Sequence, residues 1–310
     1  MTHRPRIVVV GSLVMDFVAQ GPRLPQAGET ILGERFGMFP GGKGANQAVA
    51  AARLGAEVYL VGCIGSDVFG ESLIASLKES GVDTQFVRVD ETAKTAACCI
   101  HVDAQGNNSI IIVPEANSKC SPADVERALE VIEACDVLVC QLEIPIATVE
   151  RAVGLATTTH VATILNPAPA RELPRSLISC VRILTPNESE AATLVGSATT
   201  HGKMDERSLA RALLATGVKS VVVTLAERGA FVATSDIDRL VPAFAVQSTD
   251  TTAAGDAFNG ALAVALAEER EFEDAVRFAN AAGALATTRA GAQPSLPWRS
   301  EVEALLGANR

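Results

Sequence analysis

A chain of 310 residues, 48% apolar and 20% charged, has enough material for one large α/β unit or two modest domains and is too apolar to stay disordered. Its formal charge of −10, with no block of Lys and Arg, argues against nucleic acid as a partner. No apolar run reaches the length of a membrane span, and the opening MTHRPRIVVVGS is too short for a signal peptide, so a cytoplasmic location is expected.

RIVVVG, at 6–11, predicts a first strand buried on both faces of a parallel sheet, ending in a turn that carries Asp16. From about 17 to 40 the chain turns polar and loop-like, although ETILGERF has the character of short strands. A helix over about 45–54 stops at Gly55, EVYLVGCIG forms a strand, and a helix over about 67–80 follows. TAACCIHV and NSIIIVPE flank DAQGNN, whose Asp, Gly and Asn residues predict a hairpin.

The alternation then resumes with a helix opened by SPAD, the strand DVLVCQLE, a helix near 146–158, the segments VATILNPAP, VRILTPNESE and KSVVVTLAERG, and two long Ala-rich helices after 254. The expected fold is a three-layer α/β/α unit spanning 1–310, with a mostly parallel central sheet. A small β appendage, formed by about 17–40 and 94–114, is inserted in it. Seven cysteines without a C-x-x-C pair, several inside apolar strands, read as buried reduced thiols. His3, His101, His160 and His201 are scattered and give no zinc spacing.

GMFPGGKGANQ, 37–47, comes within one residue of a phosphate-binding P-loop. The P-loop needs Ser or Thr where Gly44 stands, and it should follow directly on a strand. What remains is three glycines around Lys43 at a helix start, with Asn46 close behind. That set suits a compact polyhydroxylated ligand, or is simply a Gly-rich turn before a helix. DTTAAGDAFNGAL, 250–262, offers more. AAGD opens an apolar helix, so the amides of residues 253–256 are expected to be free at its positive end, with Asp256 beside them. A carboxylate next to an anion-binding helix start is what phosphoryl transfer to an alcohol requires; the plainer reading is an acid complementing the helix dipole. Asp16, Glu143, Asn187, Glu190 and Thr224 all fall at strand ends, where open parallel sheets bind ligands, though each alone also reads as a loop residue or helix cap.

These segments, in this order and over essentially the whole chain, resemble the ribokinase (PfkB) family of carbohydrate kinases. GGKGANQAVAAARLG is similar to the family's N-terminal signature and DTTAAGDAFNGAL to its C-terminal one; NPAPARELP, TPNESEA, QLEIP and TRAGAQPSLPW are most similar to the ribose-phosphorylating branch. The resemblance implies ATP-dependent phosphorylation of D-ribose at its 5-hydroxyl. Asp16, Gly42, Lys43, Asn46 and Glu143 would hold the sugar, Asp256 would act as the base, and the backbone of Ala253, Ala254 and Gly255 would form the anion hole. It implies an ATP site of Asn187, Thr224, Ala226, Gly229, Gly255 and Asn280, with Glu190 near Mg2+ and phosphate. A monovalent cation, usually K+, would sit at Asp250, Thr252, Ala286, Arg289, Gly291 and Ser295. The appendage becomes a lid over the sugar and a homodimer contact. Two positions depart from the family pattern: Val14 stands where Asn bonds the sugar, and Ala226 where Gly is usual. Val14 keeps 2-deoxyribose open as the substrate. A nucleoside kinase of the same mechanism and a non-catalytic sugar sensor are further alternatives, whereas a Rossmann dehydrogenase is excluded by GSLVMD after strand one, which lacks G-x-G-x-x-G.

Overall fold

The computed structural model describes residues 4–196 and 204–309, so His3 and His201 lie outside the described residues. The chain enters through β1 (Arg6–Val10) and leaves the main sheet at once to form β2 (Val14–Gln20) and β3 (Arg35–Gly41), joined by a strand-free loop. Helix α1 (Lys43–Arg53), β4 (Glu57–Gly65) and α2 (Val68–Glu79) restore the alternation, followed by the short strands β5 (Val82–Asp83) and β6 (Val87–Asp90). The hairpin of β7 (Ala96–Val102) and β8 (Asn108–Val113) turns at DAQGNN. There Asp103 accepts from the amides of Gln105 and Asn107, and Gly106 takes the positive φ that the turn needs. Next come α3 (Pro122–Arg127), α4 (Leu129–Glu133), β9 (Val137–Cys140), α5 (Ile146–Thr158), β10 (Ala162–Leu165), α6 (Arg175–Cys180), β11 (Ile183–Leu184), α7 (Glu188–Leu194), α8 (Glu206–Leu214) and β12 (Ser220–Thr224). The strands β13 (Ala230–Ala233) and β14 (Asp238–Val241) precede the closing helices α9 (Ala254–Ala267), α10 (Phe272–Ala286) and α11 (Arg299–Ala308).

The main sheet runs β14-β13-β12-β11-β10-β9-β1-β4-β5, with β6 also paired to β4. Pairings from β12 across to β5 and β6 are parallel, as the strand–helix alternation predicts. Strands β13 and β14 run antiparallel at one edge, a departure the sequence reading did not anticipate. The link from β12 to β13 is residues 225–229, too short for a crossover helix, so the chain folds straight back. Alternate residues of each central strand feed opposite cores. Ile7, Val9, Val137 and Val139 pack with α1, α9 and α10, whereas Val8, Val10, Leu138 and Cys140 pack with α3, α5 and α8. Helices on both faces make three layers. Small residues let α1 and α9 approach closely: a methyl at Gly260 would lie 2.6 Å from Cβ of Ala50. All seven cysteines are free thiols, five of them buried and Cys99 and Cys180 exposed.

The second sheet has the order β3-β2-β7-β8. It corrects the expected position of Asp16, which lies within β2 and not in the turn after β1. The short step Gly11–Leu13 is enough to carry the chain out of the first sheet, and β2 then pairs with β3 on one side and β7 on the other. Its outer strands show apolar side chains to solvent: Phe36, Met38, and Ile110 through Val113 are all exposed.

Candidate active site

The glycines of GGKG are dictated by contact. Helix α1 starts at Gly42 with φ +92°, and its first turn lies against the β1–β2 step. A methyl on Gly42 would come 2.7 Å from the Val14 amide nitrogen, and one on Gly44 would come 2.5 Å from that of Ser12. A methyl on Gly41 would strike the Asp16 carboxylate. The amides this helix start exposes are already used. Lys43 donates to Oε2 of Glu143 at 3.1 Å, Gly44 to Oγ of Ser12 at 3.2 Å and Ala45 to the Ser12 carbonyl at 2.9 Å, while the Ser12 hydroxyl itself donates to Glu143.

At α9 the situation is reversed. Ala253 caps the helix in the left-handed region at φ +60°. Ala254 donates to the Thr251 carbonyl at 3.3 Å, so it is not free as expected; from the amides of Ala253, Gly255 and Asp256 no hydrogen bond is found among the described residues. A methyl on Gly255 would touch nothing, so the space beside it is open. Asp256 is 7% exposed and accepts from Nδ2 of Asn46 and Nε2 of Gln47, each at 2.9 Å. Burial raises its proton affinity above the usual carboxylate range, against the opposing pull of Lys43 and of the two amide donors.

Around Asp256 gather Lys43, Asp16, Glu143 and Glu190, all half-buried. Burial works against the charge on Lys43, but the carboxylates of Asp256, Glu143, Glu190 and Asp16 outweigh it and hold the ammonium more firmly protonated than usual. Asp16 is pushed up to about 7, first by burial and then by the negative charges of Glu143 and Asp256. Burial also raises Glu190. The structure thus brings Asp16, Lys43, Asn46, Glu143, Glu190 and Asp256 into one electrostatically coupled group. Val14 is buried and packs with Ala96 and Cys98 at the base of the second sheet.

Asn187 and Thr224 meet across the ends of β11 and β12 in a parallel bridge. Asn187 is also an ordinary helix cap: its side chain accepts from the Glu190 amide at 2.9 Å, and Oε2 of Glu190 accepts from the Asn187 amide at 2.8 Å. Ala226 lies in the left-handed region at φ +51°, which explains on steric grounds why Gly suits this position. Gly229 and Asn280 converge on residues 241–243. A methyl on Gly229 would come 2.2 Å from the Val241 carbonyl, and Nδ2 of Asn280 donates to the carbonyls of Val241 and Pro242.

Asp250 ties together the two segments of the proposed cation site, accepting from the Thr252 amide and hydroxyl and, at 2.9 Å, from the Gly291 amide. The Arg289 side chain is bound to Glu301, and the Ser295 hydroxyl donates to the Ala292 carbonyl. Ala286 ends α10, buried.

Sequence reasoning overlooked several residues that build the site. Ser12 organises the α1 start, Asn117 clamps Leu13 by its amide and carbonyl, and Gln47, Gln141 and Asn166 form buried amide contacts behind Asp256. Their one signal was a polar side chain within an otherwise apolar stretch, as at Gln47 in ANQAVAAA.

The family model described as pfkB family carbohydrate kinase matches residues 4–299. The chain is 42% identical over 301 residues to ribokinase of Bacillus subtilis, covering 97% of this chain and 99% of that protein. It is 36% identical over 305 residues to deoxyribokinase of Salmonella typhi, covering 98% and 99%. Among solved structures it is similar to Arabidopsis thaliana ribokinase complexed with ribose and ATP, with a TM-score of 0.90, 33% identity and coverage of 98% and 99%. The two glycine-bearing helix starts, the carboxylate between them and this match over nearly the whole length agree: the chain belongs to the pfkB family of carbohydrate kinases.

Proposed function

We propose that the chain transfers the γ-phosphoryl group of ATP to the 5-hydroxyl of D-ribose, giving D-ribose 5-phosphate and ADP. The observation that carries this reading is Asp256, a buried carboxylate held by two amide donors at the open end of α9. Asp256 takes the proton of the primary hydroxyl as the oxygen–phosphorus bond forms and the bond to the ADP oxygen breaks. The amides of Ala253 and Gly255 receive the charge of the moving phosphoryl group; Ala254, bonded to Thr251, contributes less than expected. Asp16, Gly42, Lys43, Asn46 and Glu143 bind the sugar hydroxyls, and Asn187, Thr224, Ala226, Gly229, Gly255 and Asn280 border the nucleotide.

Glu190 fits a Mg2+ ion carried with the nucleotide, since Mg2+ takes one or two carboxylates plus phosphate oxygens and, among the described residues, only Oε2 of Glu190 is engaged. Glu190 would hold the metal where its charge could offset that of the phosphates. The K+ site fits main-chain oxygens better than side chains, because the Asp250 carboxylate and Ser295 hydroxyl are engaged by protein partners and the Arg289 side chain, itself a cation, has no acceptor to offer. The segments 17–40 and 94–114 serve as a lid within a single kinase unit, excluding water from the donor. The exposed apolar side chains of β3 and β8 suit a second copy of this chain, giving a homodimer through the lids. A cytoplasmic location agrees with the absence, among the described residues, of a helix long and apolar enough to cross a membrane.

Val14 favours 2-deoxyribose as a second reading, because an apolar side chain offers nothing to a 2-hydroxyl. The test is kcat/KM for ribose, 2-deoxyribose, adenosine and inosine with ATP, Mg2+ and K+. Ribose is expected to lead; a lead for 2-deoxyribose or a nucleoside reassigns the substrate. Sugar binding with no ADP formed would mark a sensor.

A further inference from the structure

Behind Asp256 runs a chain of buried amides that, among the described residues, is hydrogen-bonded to no charged group of the pocket other than that carboxylate. Nε2 of Gln47 donates both to Oδ1 of Asp256 at 2.9 Å and to Oδ1 of Asn166 at 3.1 Å. Oε1 of Gln47 accepts from Nε2 of Gln141 at 2.6 Å. On the far side, Nδ2 of Asn166 donates to the Thr185 carbonyl, the Thr185 hydroxyl donates to Oδ1 of Asn259 at 2.6 Å, and Nδ2 of Asn259 donates to the Gly255 carbonyl at 2.8 Å. Gln47 and Gln141 are fully buried, and Asn166, Thr185 and Asn259 nearly so.

The direction of this chain is set by its end. An ionised carboxylate accepts and cannot donate, so Gln47 must turn its NH2 toward Asp256. Its carbonyl oxygen then faces Gln141, which must turn its own NH2 inward. A reversed Gln47 would set oxygen against oxygen at Asp256, at Asn166 and, unless Gln141 also moved, leave two NH2 groups opposed. Burying five polar side chains is costly unless their groups are matched; here the run from Gln141 through Gln47 is matched with Asp256 accepting at Oδ1, while Oε1 of Gln141 has no partner among the described residues.

We propose that Gln47, braced by Gln141 and Asn166, is a positioning residue for the phosphoryl-transfer reaction: it holds Oδ1 of Asp256 while Nδ2 of Asn46 holds Oδ2, fixing the carboxylate plane from which a remaining lone pair meets the acceptor hydroxyl. The proposal rests on the reading of Asp256 as the base. Through Asn166, Thr185 and Asn259 the same chain ends on Gly255, so the base and the open amides of α9 are held in one frame. Charged groups reach Asp256 from four other places: Lys43 on α1, Glu143 after β9, Asp16 on β2 and Glu190 on α7. None of them is touched when the Gln47 amide is removed.

The experiment compares the unaltered protein with Gln47→Met, Gln141→Met and Asp256→Asn, measuring kcat and KM for ribose with ATP across pH. Gln47→Met keeps volume and removes the donor. It is expected to lower kcat about 100-fold at neutral pH, the scale of a misplaced catalytic group, with KM for ribose within about threefold. The acid limb of kcat moves to higher pH, because a carboxylate that has lost a donor binds its proton more tightly; the deficit therefore shrinks as pH rises. Gln141→Met, which leaves the Gln47 donor in place but unbraced, shows the same displacement to a smaller degree and serves if Gln47→Met does not fold. A pH profile unmoved in both variants overturns the proposal and leaves Gln47 a packing residue. Retained turnover in Asp256→Asn overturns instead the assignment of the base, whatever the Gln47 variants do.

Discussion

Helices α1 and α9 start alike: each lacks a side-chain cap, each begins after a residue with positive φ, and each lies in a glycine-bearing segment. They differ in what meets their amides. At α1 the amides of Lys43, Gly44 and Ala45 are filled by Ser12 and Glu143, so the resemblance of GGKG to a phosphate cradle ends in three hydrogen bonds. At α9 the amides of Ala253, Gly255 and Asp256 meet no acceptor among the described residues, and a buried carboxylate stands beside them. Two similar helix ends thus do different work: one is a packed wall that presents Lys43 and Asn46, the other an unfilled anion site.

The sharpest way to break this comparison is to add one methyl group at each start. Gly44→Ala would drive Cβ to 2.5 Å from backbone. It is expected to destabilise the fold by about 1–3 kcal/mol, as overpacking does, read from urea unfolding. Gly255→Ala meets nothing within 4 Å and removes a helical glycine. It should leave stability unchanged or raise it by up to about 1 kcal/mol, while the methyl intrudes on the space assigned to the phosphoryl group and lowers kcat at least about tenfold. Equal loss of stability in both variants would end the distinction between a filled and an open start.

The sugar side carries its own pH signature. With Asp16 raised from 3.8 to about 7, the carboxylate is protonated in the ligand-free protein below neutrality. Sugar hydroxyls that donate to it favour the ionised form, so ribose affinity should rise with pH up to about 7 and level off above, changing by up to about tenfold per pH unit on the acid side. Calorimetric Kd values across pH check this, and a flat profile would remove Asp16 from the sugar contacts. The sign for folding is opposite. Because the folded-state value is raised, Asp16 contributes stability that is fully present below 3.8 and is lost as pH rises through about 7.

The smallest effect lies on the nucleotide side. Ala226→Gly relieves a left-handed alanine but frees the unfolded chain. The two terms are each about 1 kcal/mol and nearly cancel, so a change of about 0.5 kcal/mol or less in stability is expected, together with a lower KM for ATP. A raised KM would show that the methyl group helps the nucleotide loop.

Much of the architecture was readable in the chain. The strand–helix alternation gave a parallel sheet covered on both faces, Pro122 and Gly55 marked helix ends, and DAQGNN marked a hairpin, because these depend on local backbone preference and on periodicity. The antiparallel edge at β13 was missed, since VVVT reads the same whichever way its neighbour runs. Strand β2 was missed because its pairing partners lie in β3 and β7. Within the site, Lys43, Asn46 and Asp256 were visible as directed groups beside glycines, whereas Ser12, Gln47, Gln141 and Asn166 look ordinary until they are placed together.

Sequence alone determined which segments form helix starts rich in glycine and which carboxylate accompanies the second. It pointed to open amides at 253–256, but it could not show that the amides of α1 are filled or that Ala254 is bonded to Thr251. The groups that close α1, Ser12 and Glu143, come from 31 and 100 residues away from Lys43 along the chain, whereas among the described residues only the neighbouring Thr251 carbonyl reaches the start of α9, at Ala254. Satisfaction of backbone donors is decided by what the fold brings near them, so only the tertiary structure separates a wall from a binding site.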